Sequence, residues 1–214
     1  MRKILVFIML LFFGVTIVYL FWKEEYRYSL PTPVPQNFQP VSLKTVIPVN
    51  ELFPDRTSVK PVFLHFFNPE CPCSRFNLPY FQTLVKTYGH QVNFAVVVPE
   101  GISPEKMTRI AESGIAVISD TDKKWAIRCG VYATPQAVII DPAGKLFYRG
   151  NYNKSRFCTL PGSNYASLSL EALLAGRPLP DWDALATTAY GCQIPDSVQQ
   201  TSTNPFEILM NIRR

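Results

Sequence analysis

Cysteine is scarce in this chain, five residues in 214. That is too few, in too long a sequence, for a small scaffold stapled by disulfides in place of a core. The odd count also leaves at least one thiol free or paired between molecules. Histidine is scarcer still, at two residues, His65 and His90. No run of Lys or Arg and no interleaving of basic with aromatic residues points to nucleic acid. The net charge of +5 reads as solubility. Neither an internal repeat nor a low-complexity tract is present. What remains is enough apolar material, 47% of residues, for one globular domain with a core and some extensions.

The N-terminus is the exception to this ordinary composition. Arg2 and Lys3 precede an unbroken apolar run from Ile4 to Trp22, close to the length needed for the ~30 Å hydrocarbon core of a bilayer. The run has no polar face, as a soluble helix would. The sequence after it, KEEYRYSL, lacks the small-x-small site at which a signal peptide is cut. A retained signal-anchor over 4–22 is expected, with a cytoplasmic stub at 1–3 set by Arg2 and Lys3. The alternate prolines of SLPTPVPQNFQP then predict a semi-rigid spacer in extended geometry, and a linker is assigned to 23–45. The body is expected outside the cytoplasm, where disulfides persist.

Beyond the linker the periodicity alternates between strand and helix. Val62 to Phe67 reads as a buried strand and Ser74 to Tyr88 as a helix. Val92 to Val98 is a second strand. Ser103 and Pro104 open a helix that Gly114 closes. Ile115 to Ser119 is a short strand, and Asp120 or Thr121 caps a helix ending at Gly130. Gln136 to Asp141 and Lys145 to Gly150 flank DPAG, a turn signal, as a hairpin. Ser167 to Ala175 is helical and stops at Gly176. Residues 179–214 read as a polar, irregular C-terminal extension. The plan is α/β, with one sheet buried between helices.

Three separated stretches carry a likeness to a known family: FLHFFNPEC, CGVYATPQAVIID and GKLFYRG. Together they resemble the thioredoxin superfamily, over roughly Val59 to Ala175. The resemblance implies a thioredoxin-like fold at 46–178, a central mixed sheet flanked by helices, behind a single transmembrane helix. It places Cys71 on the family's nucleophile and Thr134-Pro135 on its cis-proline, where an extended substrate strand pairs with the backbone of Thr134. The closing YGCQI, with Gly191, Cys192 and Ile194, is similar to the end of a peroxiredoxin-like branch. A peroxidase is disfavoured, because Asn68 stands where that branch needs Thr or Ser.

The chemistry expected at Cys71 has a direct cause. A cysteine at a helix N-terminus faces unpaired N–H groups and the positive end of the helix dipole, which stabilise thiolate over thiol. Pro72 suits the first turn and Arg75 adds positive charge. Glu70 opposes both, so a less acidic thiol is expected than in the family's strongest oxidants. The family's second cysteine would fall at Ser74, while this chain has Cys73. Three readings are open: a small, labile Cys71–Cys73 ring, a bond from Cys71 to a distant cysteine such as Cys158, or a Cys73 that is only a packed thiol. The ring is preferred, with Cys71 attacking and Cys73 resolving. Cys158 and Cys192 form a candidate structural bridge, or either one resolves. Cys129 reads as a small core residue.

The expected activity is therefore thiol–disulfide exchange with protein thiols and disulfides. The domain would face the periplasm from a bacterial inner membrane, supplied by an upstream membrane redox partner and using no cofactor. Copper(I) delivery through Cys-Pro-Cys is the rival class. It is weakened because no histidine follows Pro135, and no metal ligand set is assigned. A degenerate scaffold without turnover is the third reading.

Overall fold

The computed structural model describes residues 2–26, 30–53, 60–111, 114–154 and 163–195. Helix α1, Arg2–Phe21, is long and apolar enough to cross a membrane, and none of it is buried. The domain contains a five-stranded mixed sheet. Strands β1 (Val62–Phe66), β2 (Asn93–Pro99) and β3 (Ala116–Asp120) run parallel; β5 (Gln136–Ile140) and β6 (Leu146–Gly150) add antiparallel on the other side, giving the order β3-β2-β1-β5-β6. The described residues also form helices α2 (Pro72–Tyr88), α3 (Pro104–Ala111), α4 (Lys124–Cys129), α5 (Tyr165–Leu174) and the short α6 (Ala184–Thr187). A separate two-stranded ribbon joins β4 (Ala133–Thr134) to β7 (Cys192–Gln193). This is a thioredoxin-like architecture.

Central position explains why β1 is a continuous apolar run: all five of its residues are buried, with a core on each face. On one face Phe63 and Phe67 pack with Phe81 and Leu84 of α2 and Leu170 of α5. On the other, Val62, Leu64 and Phe66 meet Trp125, Ala126 and Cys129 of α4. Each fully buried side chain of this size contributes about 2–3 kcal/mol from area alone.

The helix expected after Asp120 begins with a 3₁₀ turn, Thr121–Lys123, and becomes α4 only at Lys124. The Asp120 carboxylate still supplies the cap, accepting from the N–H groups of Trp125 at 2.7 Å and Ala126 at 3.0 Å. Burial outweighs these bonds and raises the Asp120 pKa. Asp120→Ala removes both acceptors, so it is expected to lower stability by about 1–2 kcal/mol, read as a shifted urea midpoint of the full chain in mild detergent. An unchanged midpoint would show that water caps the helix as well.

Two flanking segments pack against the sheet. Thr45 and Lys44 exchange backbone hydrogen bonds with Leu146 (2.9 and 2.7 Å), Ile47 donates to Gly144, and Val41 accepts from the Arg149 guanidinium at 2.8 Å. This stretch follows the open edge of β6, which would otherwise present unpaired backbone groups. The C-terminal extension is likewise part of the fold as far as its described residues go. Ala186 and Ala189 are fully buried, Trp182 donates to the Ser169 hydroxyl, and Asn151 Nδ2 donates to the Leu185 and Thr188 carbonyls, each at 2.6 Å.

Candidate functional site

Cys71 is the N-cap of α2, in extended geometry (φ −88°, ψ 118°), with Pro72 in the first turn. The turn before it is set by Asn68, whose carbonyl accepts from Cys71 N and whose side-chain oxygen accepts from Glu70 N at 2.9 Å. Cys71 thus sits where the helix leaves its first N–H groups without intrahelical partners. Glu70, next to it, is exposed and ion-paired with Lys106, which offsets the opposing charge expected from that carboxylate.

The Thr134–Pro135 peptide bond is cis. Thr134 belongs to β4, and its carbonyl oxygen lies 3.5 Å from Cys71 Sγ. Residues 189–195 run past this point in extended form. Cys192 pairs with Thr134 and Gln193 with Ala133, and Ile194 N donates to the Tyr132 carbonyl at 2.9 Å. The opposite edge of the same segment is held by the linker: Thr32 N donates to the Ala189 carbonyl at 2.8 Å, and the Thr32 hydroxyl to the Gly191 carbonyl at 3.2 Å.

That placement brings Cys192 onto Cys71, and the two form a disulfide across a separation of 121 residues. The preferred Cys71–Cys73 ring is therefore not the pairing in this structure. Cys73 enters the first turn of α2 and is buried, while Cys71 points out across the helix start to the ribbon. The Cys158–Cys192 bridge is also not formed, because Cys192 is already bonded; Cys158 itself lies outside the described residues. The two residues differ in exposure: Cys71 is 1% exposed, whereas Cys192 is half-buried.

Sequence reasoning placed Cys71, Thr134 and Pro135 in one neighbourhood through the family likeness, and the structure brings them together. Sequence reasoning ranked the Cys71–Cys73 ring first and kept Cys192 only as an alternative resolving cysteine, and the bond in the structure is that alternative. The signal for it was YGCQI, an isolated Gly-Cys followed two residues on by an apolar residue, in a tail otherwise read as irregular.

The other candidates fall elsewhere. Cys129 is fully buried with no disulfide, and burial pushes its thiol up to about 12, so it is no nucleophile at neutral pH. His65 is in the core, under α2. Its Nδ1 lies 2.7 Å from the Tyr152 hydroxyl, its ring stacks on Phe81, and burial lowers its pKa to about 3. His90 is exposed in the turn after α2. Among the described residues, no three His, Cys, Asp or Glu side chains gather as a metal site would require.

Residues 44–194 match the family model described as a domain of unknown function, DUF6436. No curated protein matches the sequence. Among solved structures, an uncharacterized conserved protein from Geobacillus kaustophilus is similar at 24% identity and TM-score 0.58, over 76% of this chain and 97% of that one. A hypothetical protein from Sinorhizobium meliloti 1021 is similar at 16% identity and TM-score 0.61, over 75% and 97%. The thioredoxin domain of a thiol-disulfide oxidoreductase from Bacteroides vulgatus aligns at 15% identity and TM-score 0.43, over 56% and 95%. At these identities the likeness concerns the fold alone.

Proposed function

The chain belongs to the DUF6436 family, whose description assigns no activity, and from its site we propose that it is a membrane-anchored thiol–disulfide oxidoreductase with Cys71 and Cys192 as the redox couple. The observation that carries this is the disulfide at a helix N-terminus, beside the Thr134 carbonyl.

The chemistry follows from the difference between the two sulfurs. An incoming thiolate meets Cys192 Sγ more readily than the buried Cys71 Sγ. Its attack breaks the disulfide and sends the electron pair to Cys71, whose thiolate the helix N-terminus stabilises. A second thiolate from the same partner then displaces Cys192, leaving the dithiol and an oxidised partner. In the other half-reaction Cys71 thiolate attacks a substrate disulfide and forms a mixed disulfide. Cys192 attacks Cys71 Sγ, the substrate leaves with two electrons, and the Cys71–Cys192 bond returns. Cys73, buried beside them, is an auxiliary thiol in this scheme. The substrates are protein disulfides, presented to the backbone of Thr134 and Pro135.

Helix α1 supports anchoring by its length and composition, and a working disulfide suits the periplasmic face of a bacterial inner membrane. The test is differential alkylation of the full chain purified without reductant, followed by peptide mass mapping. A Cys71–Cys192 linked peptide that disappears on mild reduction, together with reduction of insulin by the dithiol form, is the expected result. A chain whose Cys71 stays alkylatable before reduction, or whose dithiol form leaves insulin intact, would overturn the proposal.

A further inference from the structure

Cys192 reaches Cys71 within an extended segment laid antiparallel on β4. Main-chain pairing of this kind gives affinity with little sequence preference, and the side-chain places along the strand supply the preference. Two such places are built here. Gly191, at φ +132°, has no room for a side chain: a Cβ there would lie 2.1 Å from the Thr134 carbonyl oxygen and 3.3 Å from Pro135 Cδ. The blocking atom is backbone in β4, so it cannot swing aside as a flexible side chain would. On the other side of the cysteine, Ile194 is 8% exposed and belongs to the core cluster that contains Phe66 and Val97. Gln193, between them, is exposed.

We propose that this groove selects, in trans, an extended polypeptide segment of the pattern Gly-Cys-x-aliphatic, of which residues 191–194 are the resident copy. The proposal rests on the exchange reading above and adds a rule for its substrate. The Thr134 carbonyl rejects a side chain before the cysteine, and the site now filled by Ile194 rewards an apolar one two residues after it. Once Cys71–Cys192 is reduced, the resident strand leaves β4 and a substrate strand takes its place.

The test uses the full chain carrying Cys192→Ser, reduced and freed of reductant in detergent micelles. The probes are the peptide Tyr-Gly-Cys-Gln-Ile-Pro, the same peptide with Ala for Gly, and the same with Asp for Ile, each as a mixed disulfide with thionitrobenzoate. Cys71 thiolate attacks the peptide sulfur and that disulfide breaks. The peptide stays on Cys71 through a new disulfide, and thionitrobenzoate departs with the electron pair, so the step is balanced without any other oxidant. Rates are corrected by those with dithiothreitol. The parent peptide is expected to load Cys71 about tenfold faster than either variant. Equal corrected rates overturn the pattern while exchange at Cys71 stands; failure to load any peptide overturns the exchange reading and the pattern together. A second variant reads the same feature within the chain. In a glutathione buffer that holds wild type mostly oxidised, Gly191→Ala is expected to shift the Cys71–Cys192 equilibrium about tenfold toward the dithiol. An unshifted equilibrium counts against the pattern.

Discussion

Replacing Cys192 by serine should slow steady-state exchange on the order of a hundredfold and at the same time leave partner proteins covalently attached to Cys71. Both effects follow from one missing step. Cys71 still sits at the start of α2 and still attacks, but the thiolate that would release the product is gone. Cys71→Ser should stop exchange and trap nothing. Cys73→Ser should retain exchange, because the working disulfide does not include it. The competing view is that the bond is only a structural staple, and the same variant separates the two. A crosslink across 121 residues is expected to stabilise the fold by about 4–5 kcal/mol through the unfolded state, so Cys192→Ser loses stability on either view. Only an exchange couple also yields mixed disulfides, seen as reductant-sensitive high-mass bands that vanish in the Cys71→Ser/Cys192→Ser double variant. A folded Cys192→Ser protein with no such bands would leave the staple as the role of this bond.

The sheet was legible in the sequence because its strands carry their own signals. Val62–Phe66 is buried on both faces and reads as an unbroken apolar run, and DPAG marks the turn between β5 and β6. Cys71 was legible because an apolar strand runs directly into a cysteine, a proline and a helical period. The ribbon of β4 and β7 was not, since each strand has two residues and no period can be read from two. The docked linker escaped for a related reason. Its prolines do favour extended chain, but an extended chain suits docking on a neighbouring strand as well as open solvent, and the hydrogen bonds from Thr32 to Ala189 and Gly191 that decide between them are non-local. The choice of Cys192 over Cys73 as partner of Cys71 depends on that non-local geometry alone. Sequence spacing favoured the near thiol, but the helix carries Cys73 inward, while Asn151, Thr32 and β4 together deliver the far one.

The largest pH effect is expected from His65, which does not take part in the exchange scheme. In the folded chain it is fully buried, its Nε2 has no hydrogen-bond partner among the described residues, and burial holds its pKa down at about 3. In the unfolded chain the imidazole titrates near 6.5. Between those two values the unfolded state binds a proton that the folded state refuses, so stability falls as the pH falls. Above about pH 6.5 the effect vanishes; below about pH 3 it is complete. At pH 4.5, roughly two units into the window, protonation of the unfolded state should have removed about 3 kcal/mol. Carboxylates also titrate in acid, so the measurement is a difference. Urea unfolding of the wild type and of His65→Leu is compared at pH 7 and pH 4.5. The substitution also leaves the Tyr152 hydroxyl without its bond to Nδ1, but that cost is the same at both pH values and cancels. The wild type is expected to lose about 3 kcal/mol more than the variant over this interval. Parallel losses would mean that the folded chain accepts the proton too, through a ring that water reaches or a core that opens around Phe81 and Tyr152.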